Sequence, residues 1–261
     1  MLTERDLRIV GWIGGLGAAG GEHVAARFGM KRGEAYRRMA VMVRAGLLES
    51  RRLLYRRPGL YVATRQGLRC RGLDGLGLFR VGPASFQHAW EVAGAAAALT
   101  RGLPGWQLLS ERELRWDERE RRELLGSVRV GSLVGAAAPL HRPDLVLVAP
   151  GGRVVAVEVE LSVKARSRLV VICRGWARAR HLDAVYYLAS RPAASAVARA
   201  VHETRAGDRI TVLPLEQTAV VVQQERESGA AGSGECLHRV AAPVQPQSGR
   251  GAVEGGDRGP H

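Results

Sequence analysis

His141-Arg142-Pro143-Asp144-Leu145-Val146-Leu147-Val148-Ala149-Pro150-Gly151-Gly152-Arg153-Val154-Val155-Ala156-Val157-Glu158-Val159-Glu160-Leu161-Ser162-Val163-Lys164 is the stretch on which the reading of this chain turns. Two apolar runs meet at Pro150-Gly151-Gly152, the composition of a tight turn. Folded about Gly151, the stretch becomes a pair of strands in which Asp144 faces Glu158. Side chains alternate along a strand, so Glu160 shares the face of Glu158. The remaining positions are Val, Leu and Ala on both faces, the pattern of a sheet covered on both sides. Three carboxylates at the open end of such a hairpin repel one another unless a cation or a proton lies between them. Asp144, Glu158 and Glu160 are therefore candidate ligands for Mg²⁺ or Mn²⁺, which favour oxygen donors. Lys164 follows at once. It is one of only two lysines, with Lys31, among 39 basic residues. A compact ammonium there could orient a water or stabilise charge on an attacked phosphate.

The elements around the hairpin read as an α/β domain. Ser85–Leu99 reads as an Ala-rich helix carrying His88 and Glu91, and Trp106–Arg115 as extended. The mixed-charge run Glu111–Glu123 reads as solvated surface. Ser162 reads as the cap of a helix running to about His181, with Leu169, Ile172, Cys173 and Trp176 inside and Arg166, Arg174 and Arg178 outside. Ala184–Ala189 and Ile210–Leu215 read as buried strands flanking a helix over Ala193–Thr204. His88 reads as a core or hydrogen-bonded histidine before a catalytic one. Glu91, on the same helix, is an outer metal contact or a surface acid.

The first 72 residues have a different order. Thr3 caps a helix to about Ile13, and Gly14–Gly21 reads as a flexible loop. That loop holds a formal G-x-G-x-x-G (Gly15, Gly17, Gly20), but a dinucleotide site needs a strand before it. Glu22–Phe28 and Arg32–Ala45 are the next helices. Leu53–Tyr55 and Leu60–Ala63 read as strands joined at Arg56-Arg57-Pro58-Gly59. Three helices followed by a hairpin with a basic tip read as a winged helix-turn-helix, whose third helix would enter the major groove while the wing lies along phosphates. Lys31, Arg32, Arg37, Arg38 and Arg44 on or before that helix, with Arg56 and Arg57 on the wing, are the candidate DNA contacts.

Charge supports that division. The net charge is +14, and residues 1–72 carry 15 basic and 5 acidic side chains, against 20 and 15 over residues 73–221. A polyanion partner, double-stranded DNA most simply, follows from so uneven a field. The expected organisation is a DNA-binding unit over residues 1–72, a Gly-rich linker over 73–84, an α/β domain over 85–221 and a disordered tail over 222–261, rich in Gly, Ser, Gln and Pro. No apolar run is long enough for a membrane span, and the mixed charges of the N-terminus do not read as a signal peptide. Cys70, Cys173 and Cys236 have neither zinc spacing nor a disulfide framework, which fits the cytoplasm.

Pro143-Asp144, then Glu158 after a gap, then a basic helix resembles the restriction-endonuclease-like, or PD-(D/E)xK, fold. The family's lysine two residues after the acid is Glu160 here, and Lys164 could supply the amine. From Thr3 to Leu215 the chain also resembles the replication-relaxation family of actinobacterial plasmids and integrated mobile elements. The residues that carry this are Thr3-x-x-Asp6, Tyr36-Arg37-Arg38-Met39, Ala45-Gly46-Leu47-Leu48, Pro58-Gly59-Leu60-Tyr61 with Thr64-x-x-Gly67, His88, Arg142-Pro143-Asp144 and Glu158-Val159-Glu160-Leu161-Ser162-x-Lys164. The resemblance implies plasmid or mobile-element DNA as partner, with replication machinery and a homodimer both open. Asp144, Glu158, Glu160 and Lys164 would then cut or nick DNA with Mg²⁺. The rival reading is a DNA-binding replication accessory or regulator without turnover. A topoisomerase-like enzyme would need an accessible nucleophile, and Tyr186 and Tyr187 lie on a strand that reads as buried.

Overall fold

The computed structural model describes residues 1–131 and 139–231. The chain opens with α1 (Glu4–Leu16), capped by Thr3. The Thr3 hydroxyl accepts the Asp6 N–H, and the Asp6 carboxylate accepts the Thr3 N–H in return. The helix runs past Ile13 and stops at Gly17, whose φ of 104° suits only glycine. Then come β1 (Ala18–Gly20), α2 (Gly21–Phe28), α3 (Arg32–Arg44), β2 (Leu48–Arg51), β3 (Leu60–Ala63) and the short α4 (Arg65–Arg69). The three strands form an antiparallel sheet in the order β1-β3-β2.

Two expectations fail in this half. Gly14–Gly21 is not a loop, because its small residues are points of close packing. A Cβ at Gly20 would lie 2.7 Å from the Trp90 ring, and one at Gly21 2.7 Å from the Tyr36 ring. Nor is Leu53–Tyr55 a strand. The partner of β3 is Leu48–Arg51, and residues 52–59 form a long turn. Leu53 and Leu54 are drawn inward against a small cluster containing Leu60, Val62 and Phe86.

The second half contains α5 (Pro83–Gly102), β4 (Gln107–Ser110), α6 (Glu111–Arg121), the short pair β5 (Val128–Arg129) and β6 (Leu140–His141), β7 (Leu145–Val148), β8 (Val154–Glu160), α7 (Arg166–Arg178), β9 (Ala184–Ala189), α8 (Arg191–Thr204), β10 (Ile210–Pro214) and α9 (Thr218–Ala231). The main sheet has the order β10-β9-β8-β7-β4. β4, β7 and β8 pair antiparallel, whereas β8, β9 and β10 run parallel. Alternation then divides the side chains. Leu145, Leu147, Val155 and Val157 join a cluster with Leu99 and Val221, while Val146, Val148, Val154 and Ala156 join one with Leu169, Ile172, Cys173 and Trp176. The sheet is thus the middle of three layers, and the chain is a mixed α/β protein as its sequence suggests.

The separation into two units joined by a linker is corrected. One continuous core runs from Ile9, Ile13 and Met39 through Ala95 and Leu99 to Leu145 and Leu188. The Ser110 hydroxyl donates to the Gly15 carbonyl at 2.7 Å, and a Cβ on Gly15 would overlap the Glu113 carboxylate. Within residues 73–84, Leu76 is buried and Phe79 lies against Gly17.

Three local corrections follow. The mixed-charge run is α6, with Leu114 fully buried. Its Glu118 is buried too, because Oε1 accepts the N–H groups of Leu125, Gly126 and Ser127 at 3.0, 3.1 and 2.8 Å. The cap residue of α7 is Ala165 and not Ser162. The ordered chain also continues beyond Val222, since α9 reaches Ala231 and buries Glu225 completely. The rest of the expected tail, residues 232–261, lies outside the described residues.

Candidate active site at the end of the central hairpin

The β7–β8 register is Val148↔Val154, Leu147↔Val155, Val146↔Ala156 and Leu145↔Val157. One further step makes Asp144 and Glu158 the next facing positions, as folding about Gly151 requires. Asp144 ends the ladder with its side chain. Val159 N–H donates to Asp144 Oδ2 at 2.8 Å, while the Asp144 carbonyl accepts the Glu111 N–H at 2.9 Å. Gly152 takes a φ of 84° in the turn that sets this register.

Each acid has a basic side chain of its own beside it. Asp144 Oδ1 lies 2.9 Å from His88 Nε2, reached from α5 on the other layer. Glu158 Oε1 lies 2.6 Å from His141 Nε2 on β6. Glu160 is ion-paired with Lys164. Among the described residues no three of His, Cys, Asp and Glu are grouped as a ready-made metal cage. The four expected residues are nonetheless brought to one end of one sheet, and His88 and His141 join them.

Electrostatics separates the members of this group. Burial pushes the Glu158 carboxyl up, and the neighbouring Asp144 charge adds to that, while His141 and Lys164 oppose it. His88 is raised mainly by its hydrogen bond to Asp144, against the effect of burial, and the charges of Asp144 and Glu158 raise it further. Lys164 acts on both Glu158 and His88, so the ammonium belongs to the same field. Glu158 also reaches the layer below, where burial chiefly, with help from its charge, pushes the Cys173 thiol up to about 11. Tyr187 is raised well above its ordinary value by burial, and its hydroxyl accepts the Trp176 indole N–H at 3.1 Å. Tyr186 donates to Glu225 at 2.7 Å. Neither tyrosine is an exposed nucleophile.

His141 was missed as a partner in the sequence, although it stands at the head of the decisive stretch. Its signal is weak because it reaches Glu158 from a two-residue strand paired with Val128–Arg129. Glu91 does not reach the acids. It takes a hydrogen bond from Gln87, one turn earlier on α5.

The basic candidates are placed unevenly. Lys31, Arg32, Arg37, Arg44, Arg56 and Arg57 are all exposed. Arg38 is not available in the same way, since its Nε donates to Asp6 Oδ1 at 2.8 Å and its Nη2 pairs with the other oxygen. It ties α3 to α1, so Arg38 is a structural ion pair and leaves the set of free contacts. Arg57 donates to Gln87 at 2.6 Å, which fastens the long turn to the start of α5, one residue before His88. No protein-family model, curated protein or solved structure matches the chain. Among the described residues no helix is long and apolar enough to cross a membrane.

Proposed function

We propose that the protein binds duplex DNA of a plasmid or mobile element and cuts or nicks it at the Asp144–Glu158 end of the sheet. The single observation that carries the reading is the facing pair Asp144 and Glu158, with Glu160 and Lys164 beside it, at the end of a buried hairpin. Its setting adds weight. The order helix, three antiparallel strands, helix and parallel strand, here α5-β4-β7-β8-α7-β9 with α6 and the β5–β6 pair after β4, supports the resemblance to the restriction-endonuclease-like core. The N-terminal order of three helices and a β-hairpin, with Arg56 and Arg57 at its tip, supports the winged helix-turn-helix reading. Exposed Lys31, Arg32, Arg37 and Arg44 would approach the groove and the phosphates.

A divalent ion fits this acid pair. Glu158 is a buried carboxyl raised by desolvation and by Asp144, an arrangement that a cation relieves. Mg²⁺ is commonly held by one or two carboxylates with water and substrate phosphate, so a full protein cage is not required. Asp144 and Glu158 would hold it, with Glu160 next to them. Once bound, such an ion makes a water nucleophilic and neutralises charge on the phosphate. This chain's own part is to orient. His88 and His141 fix the two carboxylates, and Lys164 places one positive charge at the rim.

A second reading rests on a specific observation. Because every acid already has a hydrogen-bonding or ion-pairing partner, the same arrangement serves a DNA-binding accessory that keeps the fold without turnover. Thermal unfolding with and without Mg²⁺ or Mn²⁺, beside DNA binding by fluorescence anisotropy, tests the site. At ten times its Kd the ion adds about 1.4 kcal/mol, or about 4 °C for a chain of this size, and Asp144→Asn abolishes the gain. No metal-dependent shift in the wild type would remove the metal site, while loss of DNA binding would remove both readings.

A further inference from the structure

Tyr55 is 85% exposed, the most exposed aromatic side chain among the described residues. Its neighbours are the reason. Leu53 and Leu54 are pulled into the cluster around Leu60, Val62 and Phe86, and the next side chain is turned outward. Arg56 follows in the left-handed region at φ 55°, a conformation costly for a branched-out side chain and uncommon outside Gly, Asn and Asp. It brings the Arg56 guanidinium over one face of the Tyr55 ring, 5.1 Å from its centre. At that exposure most of the ring surface is open to solvent. Arg52 and Arg57 are exposed along the same turn, and Arg51, paired with Glu49, stands just before it. The turn is held in place, since Arg57 is hydrogen-bonded to Gln87, the residue before His88.

We infer that Tyr55 is a stacking platform for an unpaired DNA base, so that the protein prefers a fork or single-strand junction to uninterrupted duplex. This rests on the DNA-binding reading and adds the shape of the substrate to it. A flat face covered on one side by a guanidinium takes a flat partner on the other, and the cation strengthens the stack. Bases inside a duplex have both faces occupied by their neighbours. An unpaired base at a junction has one free, and the surrounding arginines meet its phosphates. Because the turn is fastened to the start of α5, the stacked base is registered against the helix that carries His88.

The test uses the full chain with two DNAs, a continuous duplex and a fork of the same sequence carrying 2-aminopurine at the first unpaired position. The expected result is tighter binding of the fork by about 10-fold, one base–aromatic stack, with a change in 2-aminopurine fluorescence on binding. Tyr55→Ala abolishes both the preference and the fluorescence change and leaves duplex affinity unaltered, whereas Tyr55→Phe keeps both. Equal binding of fork and duplex by the wild type, or a preference that survives Tyr55→Ala, overturns the inference and leaves duplex binding standing. Failure to bind either DNA overturns the inference together with the DNA-binding reading.

Discussion

Glu225 offers the sharpest test of how this fold is held together. Its side chain is fully buried on α9, and it accepts hydrogen bonds from Arg153 Nε and Nη2 at 2.6 and 3.2 Å and from the Tyr186 hydroxyl at 2.7 Å. One carboxylate thus ties the last helix to the hairpin turn and to the strand beside β8. Glu225→Ala strips the partner from a partly buried guanidinium and from a hydroxyl in the sheet. Breaking a buried pair from one side costs about 3–5 kcal/mol. Arg153 keeps some contact with water at 29% side-chain exposure, so the lower end applies, about 3 kcal/mol. For a chain of this length that is a fall in Tm of about 9 °C. Glu225→Gln keeps an acceptor for Tyr186 and should lose about half as much. Thermal unfolding followed by circular dichroism measures both. A Tm for Glu225→Ala within a degree or two of wild type would refute the claim that α9 is part of the core.

Other expectations follow from the same geometry. His23 is buried and accepts the Gly20 N–H at 3.0 Å, and burial lowers its pKa to about 4 against a small opposing effect of Glu22. A lowered histidine favours the unfolded, protonated chain in acid, so its stabilisation is complete above about pH 6.5 and is lost as pH falls to about 4, by about 3 kcal/mol in all. Equilibrium denaturation at several pH values, with His23→Gln as the flat control, reads that slope. Burial raises Asp6, but hydrogen bonds from Arg38 and Thr3 outweigh it and hold the carboxyl below its ordinary value. That stability is present above the ordinary aspartate pKa and is lost as pH falls below it, and Asp6→Asn should remove this acid limb from the unfolding profile. A fragment of residues 1–72 should not fold stably, because Ile13 and Leu16 share their core with Leu99 and Leu145, and a cooperative melt of that fragment would contradict the continuous core. If about six phosphates are engaged, DNA affinity of the full chain should fall about 10³-fold between 50 and 200 mM salt, as anisotropy titrations would show.

The central hairpin was legible because two independent signals agreed on it. The Pro150-Gly151-Gly152 turn sets the register, and the unbroken apolar runs on either side of it mark strands covered on both faces. The buried strand Ala184–Ala189 was legible as a short apolar run with clear ends, and the three early helices from the spacing of their apolar residues, although the first runs on to Leu16. What escaped reading was whatever depends on partners that only the folded chain brings together. Gly14–Gly21 looks flexible until Trp90, Tyr36 and Glu113 are seen to need the space. Glu111–Glu123 looks solvated until the N–H groups of residues 125–127 are seen to satisfy Glu118. Beyond Val222 the composition turns polar, and the buried residue that extends the fold past that boundary is a charged one, Glu225. At the site, the acids could be found from spacing and His88 could be singled out as a hydrogen-bonded histidine, but its partner could not be named and His141 was missed. His88 lies 56 residues from Asp144 in the chain.

The central claim, that the acid end of the β7–β8 hairpin is a metal-dependent DNA-cutting site, is tested most directly by incubating the full chain with supercoiled plasmid and Mg²⁺ or Mn²⁺ and following conversion to open-circular and linear forms. The account predicts nicked product with wild type, none with chelator, and none with Asp144→Asn or Glu158→Gln while DNA binding persists. Supercoiled plasmid left intact by a wild-type protein that binds it and is stabilised by the metal would contradict cleavage and leave a DNA-binding protein with a structural acid site.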